Sequence, residues 1–188
     1  MYPDGPDVLI GHSLGAITAL ALLEREPGWA RTVILEEPAS SLAPEALVGL
    51  AASITADVAA VRQDREAVVE RVRRDCPRWA DEDVHWAVQG IAELDPEPFA
   101  RHLIALAHDA HRRPSTPERI LAAAPEAYIL VADTDRSLLE GGSALNRRDR
   151  EALAAGLPEG HVIALDGGHC LHRDAPGEWL AALAAIIG

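Results

Sequence analysis

Positive charge is scarce in this chain of 188 residues. Lysine is absent, so all 17 Lys and Arg positions are arginines, and they stand against 30 acidic residues for a net charge of −13. An acidic surface repels phosphate backbones and anionic lipid headgroups. We therefore expect neither nucleic acid nor a membrane as a partner, and we interpret the missing lysine as a bias of the coding genome.

Cysteine is also rare, since the sequence holds Cys76 and Cys170 alone. Their separation fits neither a metal cluster nor a redox pair, and two thiols do not make a disulfide framework. We expect free thiols in a reducing compartment and hence a cytoplasmic protein. Because no group of residues has metal-ligand spacing, we also expect no metal ion and no cofactor.

Leader and membrane signals are the third absence. Residues 1–6 are polar and proline-rich, without the basic start and apolar core of a signal peptide. No apolar run approaches the roughly 20 residues that cross a bilayer. We therefore expect no signal peptide and no membrane-spanning segment.

The sequence does contain a Gly-x-Ser-x-Gly motif at residues 11–15. The strand-like run Val8–Ile10 leads into it, and an Ala/Leu-rich helical pattern follows. Such a strand-to-helix turn brings two backbones close together around a strained serine, and glycine suits both framing positions because it has no Cβ. The motif predicts Ser13 as a nucleophile, because a helix-capping serine would not need both glycines.

An acid and a histidine follow later in the chain, each after a predicted strand. The strand Tyr128–Ala132 leads into Asp133–Asp135, and the strand His161–Leu165 is followed by two glycines and His169. Serine, acid and histidine in this order, each at the carboxyl end of a strand, are typical of a Ser-His-acid site on a parallel sheet.

In these motifs the chain resembles the C-terminal part of an α/β-hydrolase fold protein. The resemblance covers nearly the whole chain, from the motif at residues 11–15, which is called the nucleophile elbow, to the histidine loop and the last helix. It implies a truncated α/β-hydrolase fold with about four parallel strands flanked by helices. One departure is Ala132, where the family usually has glycine.

The same resemblance divides the chain into a core and an insertion. Residues 1–39 and 126–188 are expected to form the partial hydrolase core, and residues 40–125 a helical lid between two strands. Three aromatic residues of the insertion either line a substrate pocket or hold the lid's helices together: Trp79, Trp86 and Phe99. The last helix, Pro176–Ile187, is expected to lay one apolar face on the sheet: Trp179, Leu180, Leu183, Ile186 and Ile187.

The reaction implied is transfer of an acyl group from a small carboxylic ester, or a related acyl compound, to water. Ser13 attacks the carbonyl carbon, His169 takes the serine proton, and the backbone N–H of Leu14 donates to the oxyanion. His172 competes weakly with His169 as the base. We assign no catalytic role to His12, which fills the variable position of the elbow.

The acid has more than one candidate. We choose Asp135, because it lies in the loop beyond its strand, whereas Asp133 is closer to the strand and suited to capping the turn. Glu36 and Glu37 end the preceding predicted strand and are a rival pair, with Glu37 the stronger of the two. Some members of the family have their acid at that place.

The elbow begins at residue 11, whereas in the family it follows the fifth of eight strands. The resemblance therefore implies that four strands and the second oxyanion donor are missing, and loss of one donor typically costs about 10²–10³ in turnover. The strand ending at Gly11 would be an exposed edge, open to self-association or to complementation by another chain. We favour a start codon assigned inside a longer gene. Two functions stay open: a serine hydrolase of esterase type, inactive if incomplete, and a non-catalytic fragment or interaction module.

Overall fold

A computed structural model describes residues 5–39, 42–108 and 116–188, with the backbone alone at Leu139. The chain divides into two compact units. The sheet unit comprises Met1–Leu42 and Arg113–Gly188, and the helical unit comprises Ala43–Arg112. The elements are, in chain order, β1 (Val8–His12), α1 (Leu14–Arg25), β2 (Thr32–Glu36), α2 (Pro44–Gln63), α3 (Arg65–Asp75), α4 (Asp81–Glu93), α5 (Pro96–His108), α6 (Pro117–Ala123), β3 (Tyr128–Ala132), α7 (Arg147–Gly156), β4 (Val162–Leu165), α8 (Leu171–Asp174) and α9 (Pro176–Ile187).

The sheet of the described chain has four parallel strands in the order β1-β2-β3-β4, so each strand pairs with the next one in the sequence. Side chains alternate between its two faces. Leu35 and Val131 belong to the core shared with α1, α6 and α7, while Ile34 and Leu130 belong to the core shared with α8 and α9. The predicted α/β architecture with about four parallel strands is confirmed.

The helix α6 belongs to the sheet unit, although residues 40–125 were expected as one insertion. Ile120 of α6 is fully buried in the core beneath β2 and β3. Arg119 also forms a two-pronged ion pair with Glu24 of α1, with N–O distances of 2.8 and 2.7 Å. The helical unit therefore ends before α6.

The last helix contacts the sheet through a narrower face than the sequence predicts. Trp179, Leu183 and Ile186 pack against the core of Ile34 and Leu130, as expected. Leu180 and Ile187 are 60% and 51% exposed, so this part of the prediction is wrong. These two residues are seven positions apart and share one stripe of the helix, and that stripe faces solvent.

The strand β1 lies at the edge of the sheet. In the ranges that the structure describes it pairs with β2 alone. Ile10 is 42% exposed there, whereas Leu9 packs against the core of α1. The predicted apolar edge is therefore present.

The helical unit is built around α2, which packs against α3, α4 and α5. Its core includes Val61, Val68 and Val88. At the start of α3, Asp64 caps the helix by accepting the Ala67 N–H at 3.0 Å. Trp86, expected to line a pocket or to hold the helices together, is 59% exposed.

The helix α2 corrects one expectation from the sequence. It has 20 residues with a mean hydropathy of 1.4 in its most apolar window, so by length and composition it could cross a membrane. The apolar run in the sequence looks shorter because Asp57 interrupts it; in the structure Asp57 pairs with Arg71 of α3 at 2.7 Å. A single helix of this kind is weak evidence for a membrane span; α2 buries Leu47, Ala51, Val58 and Val61, and 22% of its most apolar window is buried.

The two glycines of the Gly-x-Ser-x-Gly motif have different surroundings. A Cβ on Gly11 would lie 2.7 Å from the Cα of Ala16 and 2.8 Å from the Gly15 oxygen, both backbone atoms. A Cβ on Gly15 would meet nothing within 4 Å. Within this chain, close packing therefore requires glycine at position 11 and not at position 15.

We expect Gly11→Ala to lower the free energy of unfolding by about 1–3 kcal/mol, because β1 and α1 must separate to admit the methyl group. Gly15→Ala is the matched control and should raise it by up to about 1 kcal/mol, since alanine favours the helix. Urea denaturation followed by far-UV circular dichroism measures both. Equal losses in the two variants would contradict the difference in packing.

Candidate active site

The turn between β1 and α1 holds Ser13 in a strained conformation. Its φ is 51° and its ψ is −113°, a backbone conformation that residues other than glycine rarely adopt. The Ser13 N–H donates to the carbonyl oxygen of Glu36 at 3.0 Å and so fastens the turn to the end of β2. The Ser13 hydroxyl makes no capping hydrogen bond to α1, which leaves it available for chemistry.

The N–H of Leu14 is next to this serine. Leu14 is the first residue of α1, and the N–H groups of a first helical turn have no acceptor within the helix. Such a group can donate to an anion at the helix N-terminus. The structure thus places a backbone donor directly after Ser13.

His169 lies in a tight loop between β4 and α8. A Cβ on Gly168 would lie 2.6 Å from the carbonyl oxygen of Gly141, so this position needs glycine. The Gly168 N–H donates to the Asp174 carboxylate at 2.8 Å, which fixes the loop to the end of α8. These contacts hold the backbone immediately before His169.

Glu37 is the carboxylate that His169 contacts. Its Oε2 atom lies 3.4 Å from His169 Nδ1, a long hydrogen bond. Since a carboxylate can only accept, Nδ1 carries a proton, and in the neutral ring Nε2 keeps the lone pair. This is the tautomer that a general base needs if it is to take a proton at Nε2.

Glu37 is fully buried and held by further donors from the end of β3 and from the segment between β3 and α7. Its carboxylate accepts the N–H groups of Ala132 and Ala144 at 2.7 and 2.6 Å, and the Ser143 hydroxyl at 2.8 Å. Its φ of 46° turns the chain sharply at the end of β2. A charge buried in this way keeps one position, because every alternative leaves it without donors.

Asp135, the acid predicted from the sequence, does not reach His169. Its side chain is 82% exposed and forms an ion pair with Arg150 at 2.8 Å, and no hydrogen bond joins it to His169 in the described chain. The arginine is itself anchored on the Ala132 carbonyl at 3.1 Å. The structure therefore places Glu37, the rival that the sequence also offered, beside His169 where Asp135 was expected.

A second carboxylate–histidine pair lies beside the first. Glu36 is 1% exposed, and its Oε1 atom accepts from His172 Nδ1 at 2.8 Å and from the His172 backbone N–H at 3.2 Å. Its other oxygen accepts from Trp179 Nε1 at 3.0 Å. The sequence analysis did not predict this pair. The available signal was two consecutive glutamates, Glu36 and Glu37, together with two histidines three residues apart, His169 and His172.

His12 connects the two pairs. Its Nε2 atom lies 2.8 Å from the carbonyl oxygen of His169, and its ring centroid lies 4.8 Å from that of His169 and 5.0 Å from that of His172. Together with Glu36 and His172 it offers atoms within 4.8 Å of one another, so these three residues could hold a metal ion. His12, given no catalytic role from the sequence, thus packs directly against the proposed base.

Burial shifts the pKa values of His12 and Glu36 in opposite directions. Burial lowers the pKa of His12, and the neighbouring His169 lowers it further against the attraction of Glu36. Burial raises the pKa of Glu36, but the hydrogen bond and charge of His172 outweigh it, so the pKa stays below the ordinary value. The cluster therefore favours an ionised Glu36 beside a neutral His12.

The structure thus brings together Ser13, Leu14 and the pair of His169 with Glu37 at the carboxyl ends of β1, β2 and β4. Among the described residues no hydrogen bond joins the Ser13 hydroxyl to His169. Hydrogen bonds between catalytic groups are often long or absent without a substrate and form when one binds. Chemically, the arrangement offers a strained serine, a histidine oriented by a buried carboxylate, and a backbone donor for an oxyanion.

Solved structures share this fold. An esterase from Thermogutta terrifontis is 21% identical, with a TM-score of 0.61, 96% of this chain covered and 64% of the esterase. An enol-lactonase from Burkholderia xenovorans LB400 is 19% identical, with a TM-score of 0.60, 95% of this chain covered and 64% of the enol-lactonase. For E-2-(acetamidomethylene)succinate hydrolase the identity is 16%, the TM-score 0.67 and the coverage 97% of this chain and 67% of that one.

These comparisons show the fold, and they show that the chain spans about two thirds of the length of these structures. No curated protein matches the sequence. The family model for the alpha/beta hydrolase family, in contrast, matches residues 2–183, from before β1 into α9. With the parallel sheet, the strained turn at Ser13 and the histidine loop after β4, this match shows that the chain belongs to the alpha/beta hydrolase family.

Proposed function

We propose that this chain carries the Ser-His-acid site of a serine hydrolase, with Ser13 as nucleophile, His169 as general base and Glu37 as the acid. The observation that supports it most is the Glu37 carboxylate, which is fully buried and lies 3.4 Å from His169 Nδ1. A buried acid in contact with a histidine at the carboxyl edge of the sheet has the role of orienting that histidine. The strained backbone of Ser13 at the same edge supports the other half of the proposal.

The reaction that follows is acyl transfer to water. His169 Nε2 takes the proton of the Ser13 hydroxyl while the serine oxygen attacks the carbonyl carbon of the substrate. The oxyanion of the tetrahedral intermediate accepts the Leu14 N–H, and Glu37 stabilises the protonated ring of His169. His169 then returns the proton to the leaving group, and a water molecule releases the acyl group from Ser13 by the same steps.

We propose a small carboxylic ester or a related acyl compound as the substrate. The family acts by hydrolysis, and the esterase and the enol-lactonase that share the fold are named for cleavage of ester and lactone bonds. Because the chain spans about two thirds of their length, activity of this chain alone is part of the proposal. So are the role of the helical unit as a lid, now limited to Ala43–Arg112, and a cytoplasmic location.

A second candidate function is an interaction module that pairs through β1. The observation in its favour is the apolar edge, where Ile10 is 42% exposed and β1 has one strand partner in the described chain. Unpaired N–H and C=O groups along such an edge accept another strand. A second copy of this chain is the partner that this edge could pair with directly.

The first prediction of this proposal concerns the reactivity of the serine. A fluorophosphonate probe should label the purified chain, and Ser13→Ala should abolish labelling. Glu37→Gln should slow labelling by about 10²–10⁴, because an amide cannot hold His169 in the reactive tautomer. Asp135→Asn is the matched control and should label at the wild-type rate, since its carboxylate contacts Arg150 instead.

The result that contradicts the acid assignment is the reverse pattern, in which Asp135→Asn loses labelling and Glu37→Gln keeps it. A folded wild-type chain that does not label would contradict activity of this chain alone. Near-UV circular dichroism of each variant separates loss of reactivity from loss of folding.

The second prediction concerns stability. Glu37→Ala should lower the free energy of unfolding, because the buried Ala132 and Ala144 N–H groups lose their acceptor. Each unsatisfied group costs about 1–3 kcal/mol. Asp135→Ala removes an exposed ion pair and should change the free energy of unfolding by less than about 1 kcal/mol. Urea denaturation of both variants tests this, and similar losses would mean that Glu37 is not the anchor described above.

The third prediction tests the second candidate function. If β1 pairs with a second copy, Ile10→Glu should shift the chain from dimer to monomer in light scattering after gel filtration. Val48→Glu is the control, because Val48 is similarly exposed, at 44%, and belongs to α2 of the helical unit. A wild-type chain that is monomeric at all concentrations tested would rule out pairing through β1.

A further inference from the structure

We propose that His12, Glu36 and His172 form a binding site for a divalent transition-metal ion of the zinc type. One ligand atom from each of the three residues lies within 4.8 Å of the others. The residues come from the end of β1, the end of β2 and α8, so the fold gathers them from three separate elements. The site is next to the proposed catalytic residues but includes none of them.

The donor atoms select the kind of ion. Two imidazole nitrogens and one carboxylate oxygen are ligands that zinc takes at about 2.0–2.2 Å. Calcium and magnesium prefer sites made of oxygen atoms only, so they fit this set poorly. Three protein ligands leave the fourth position of a tetrahedral zinc ion for water.

The charge of the cluster supports a cation. Glu36 is 1% exposed, and its named partners are His172 and Trp179, neither of which carries a permanent charge. The charged groups that act most strongly on this carboxylate are His172 and His12, and the sequence has no lysine. A buried carboxylate without a fixed counter-ion is costly, and a bound cation removes that cost.

The surrounding hydrogen bonds are those that orient metal ligands. A carbonyl oxygen can only accept, so His12 Nε2 donates to the His169 oxygen at 2.8 Å, and Nδ1 keeps the lone pair of the neutral ring. Trp179 Nε1 donates to Oε2 of Glu36 at 3.0 Å. The other oxygen, Oε1, accepts from the His172 backbone N–H and from His172 Nδ1, and an ion bound there replaces the Nδ1 proton. Metal-bound histidines and carboxylates have outer partners of this type in most sites.

Binding is a substitution of a proton by the ion. In the structure His172 Nδ1 lies 2.8 Å from Glu36 Oε1, a distance that a shared proton bridges. The ion takes a lone pair from each of these atoms and from His12, and the proton on Nδ1 of the neutral His172 ring passes by way of solvent to Nε2 of the same ring. Two ligands of a tetrahedral zinc ion are about 3.3 Å apart, so His172 and Glu36 must separate by about 0.5 Å.

Zinc alone is the probe that tests the site. The chain, stripped of metal with a chelator, is titrated with zinc in competition with a chromophoric zinc indicator, and one ion per chain is expected to bind. Glu36→Gln, His12→Asn and His172→Asn should each weaken binding by at least about 100-fold. Trp179→Phe should weaken it by about 10–100-fold, because only an outer hydrogen bond is lost.

Two controls exclude other ligands. His85→Asn removes an exposed histidine on α4, and Cys170→Ser removes the thiol beside His169; both should bind zinc like the wild type. Wild-type chain that binds no zinc, binding unchanged in Glu36→Gln, or binding lost in Cys170→Ser would each overturn the proposal. Glu36→Gln keeps the shape of the side chain, and near-UV circular dichroism confirms that each variant is folded.

The test is independent of the hydrolase proposal. Ser13→Ala should bind zinc as tightly as the wild type, because Ser13 is not a ligand. A chain that binds zinc and does not label, or labels and does not bind zinc, would separate the failure of one proposal from the failure of the other.

Discussion

One buried carboxylate, that of Glu37, joins the parts of the candidate site. Its donors are the end of β3, the loop before α7 and the histidine loop after β4. Hydrogen bonds to a charged group contribute about 1.5–3 kcal/mol each, while the same charge without donors would cost several kcal/mol. The carboxyl edge of the sheet therefore has one stable arrangement, and the position of His169 is a consequence of it.

Most of the sheet could be predicted from local sequence. The apolar runs before Gly11 and before His169 are short and bounded by glycine, so their strands and their parallel arrangement follow from pattern and chain order. The apolar pattern could not predict the exposure of single side chains. Leu180 is as apolar as Leu183, and only packing against the sheet decides which of them is buried.

The acid residue was harder to predict from the sequence. The segments after β2 and after β3 both begin at the same edge of the sheet, and each offers carboxylates, so chain order alone cannot choose between them. The choice depends on the positive φ of Glu37, which turns consecutive glutamates toward different partners. Glu36 contacts His172 and Trp179, whereas Glu37 contacts the loops after β3. The cluster of His12, Glu36 and His172 could not be predicted either, because His12 and His172 are 160 positions apart and share no motif.

The partners of Glu37 also set an order of events during synthesis. They follow it in the chain by 95 residues at Ala132, 106 at Ser143 and 132 at His169. At about 5–20 residues per second, a ribosome makes the last of these about 7–26 seconds after Glu37. Until Ala132 is made, the carboxylate has no donors but water, so the nascent chain can pair β1 with β2 early and must complete the edge of the sheet late.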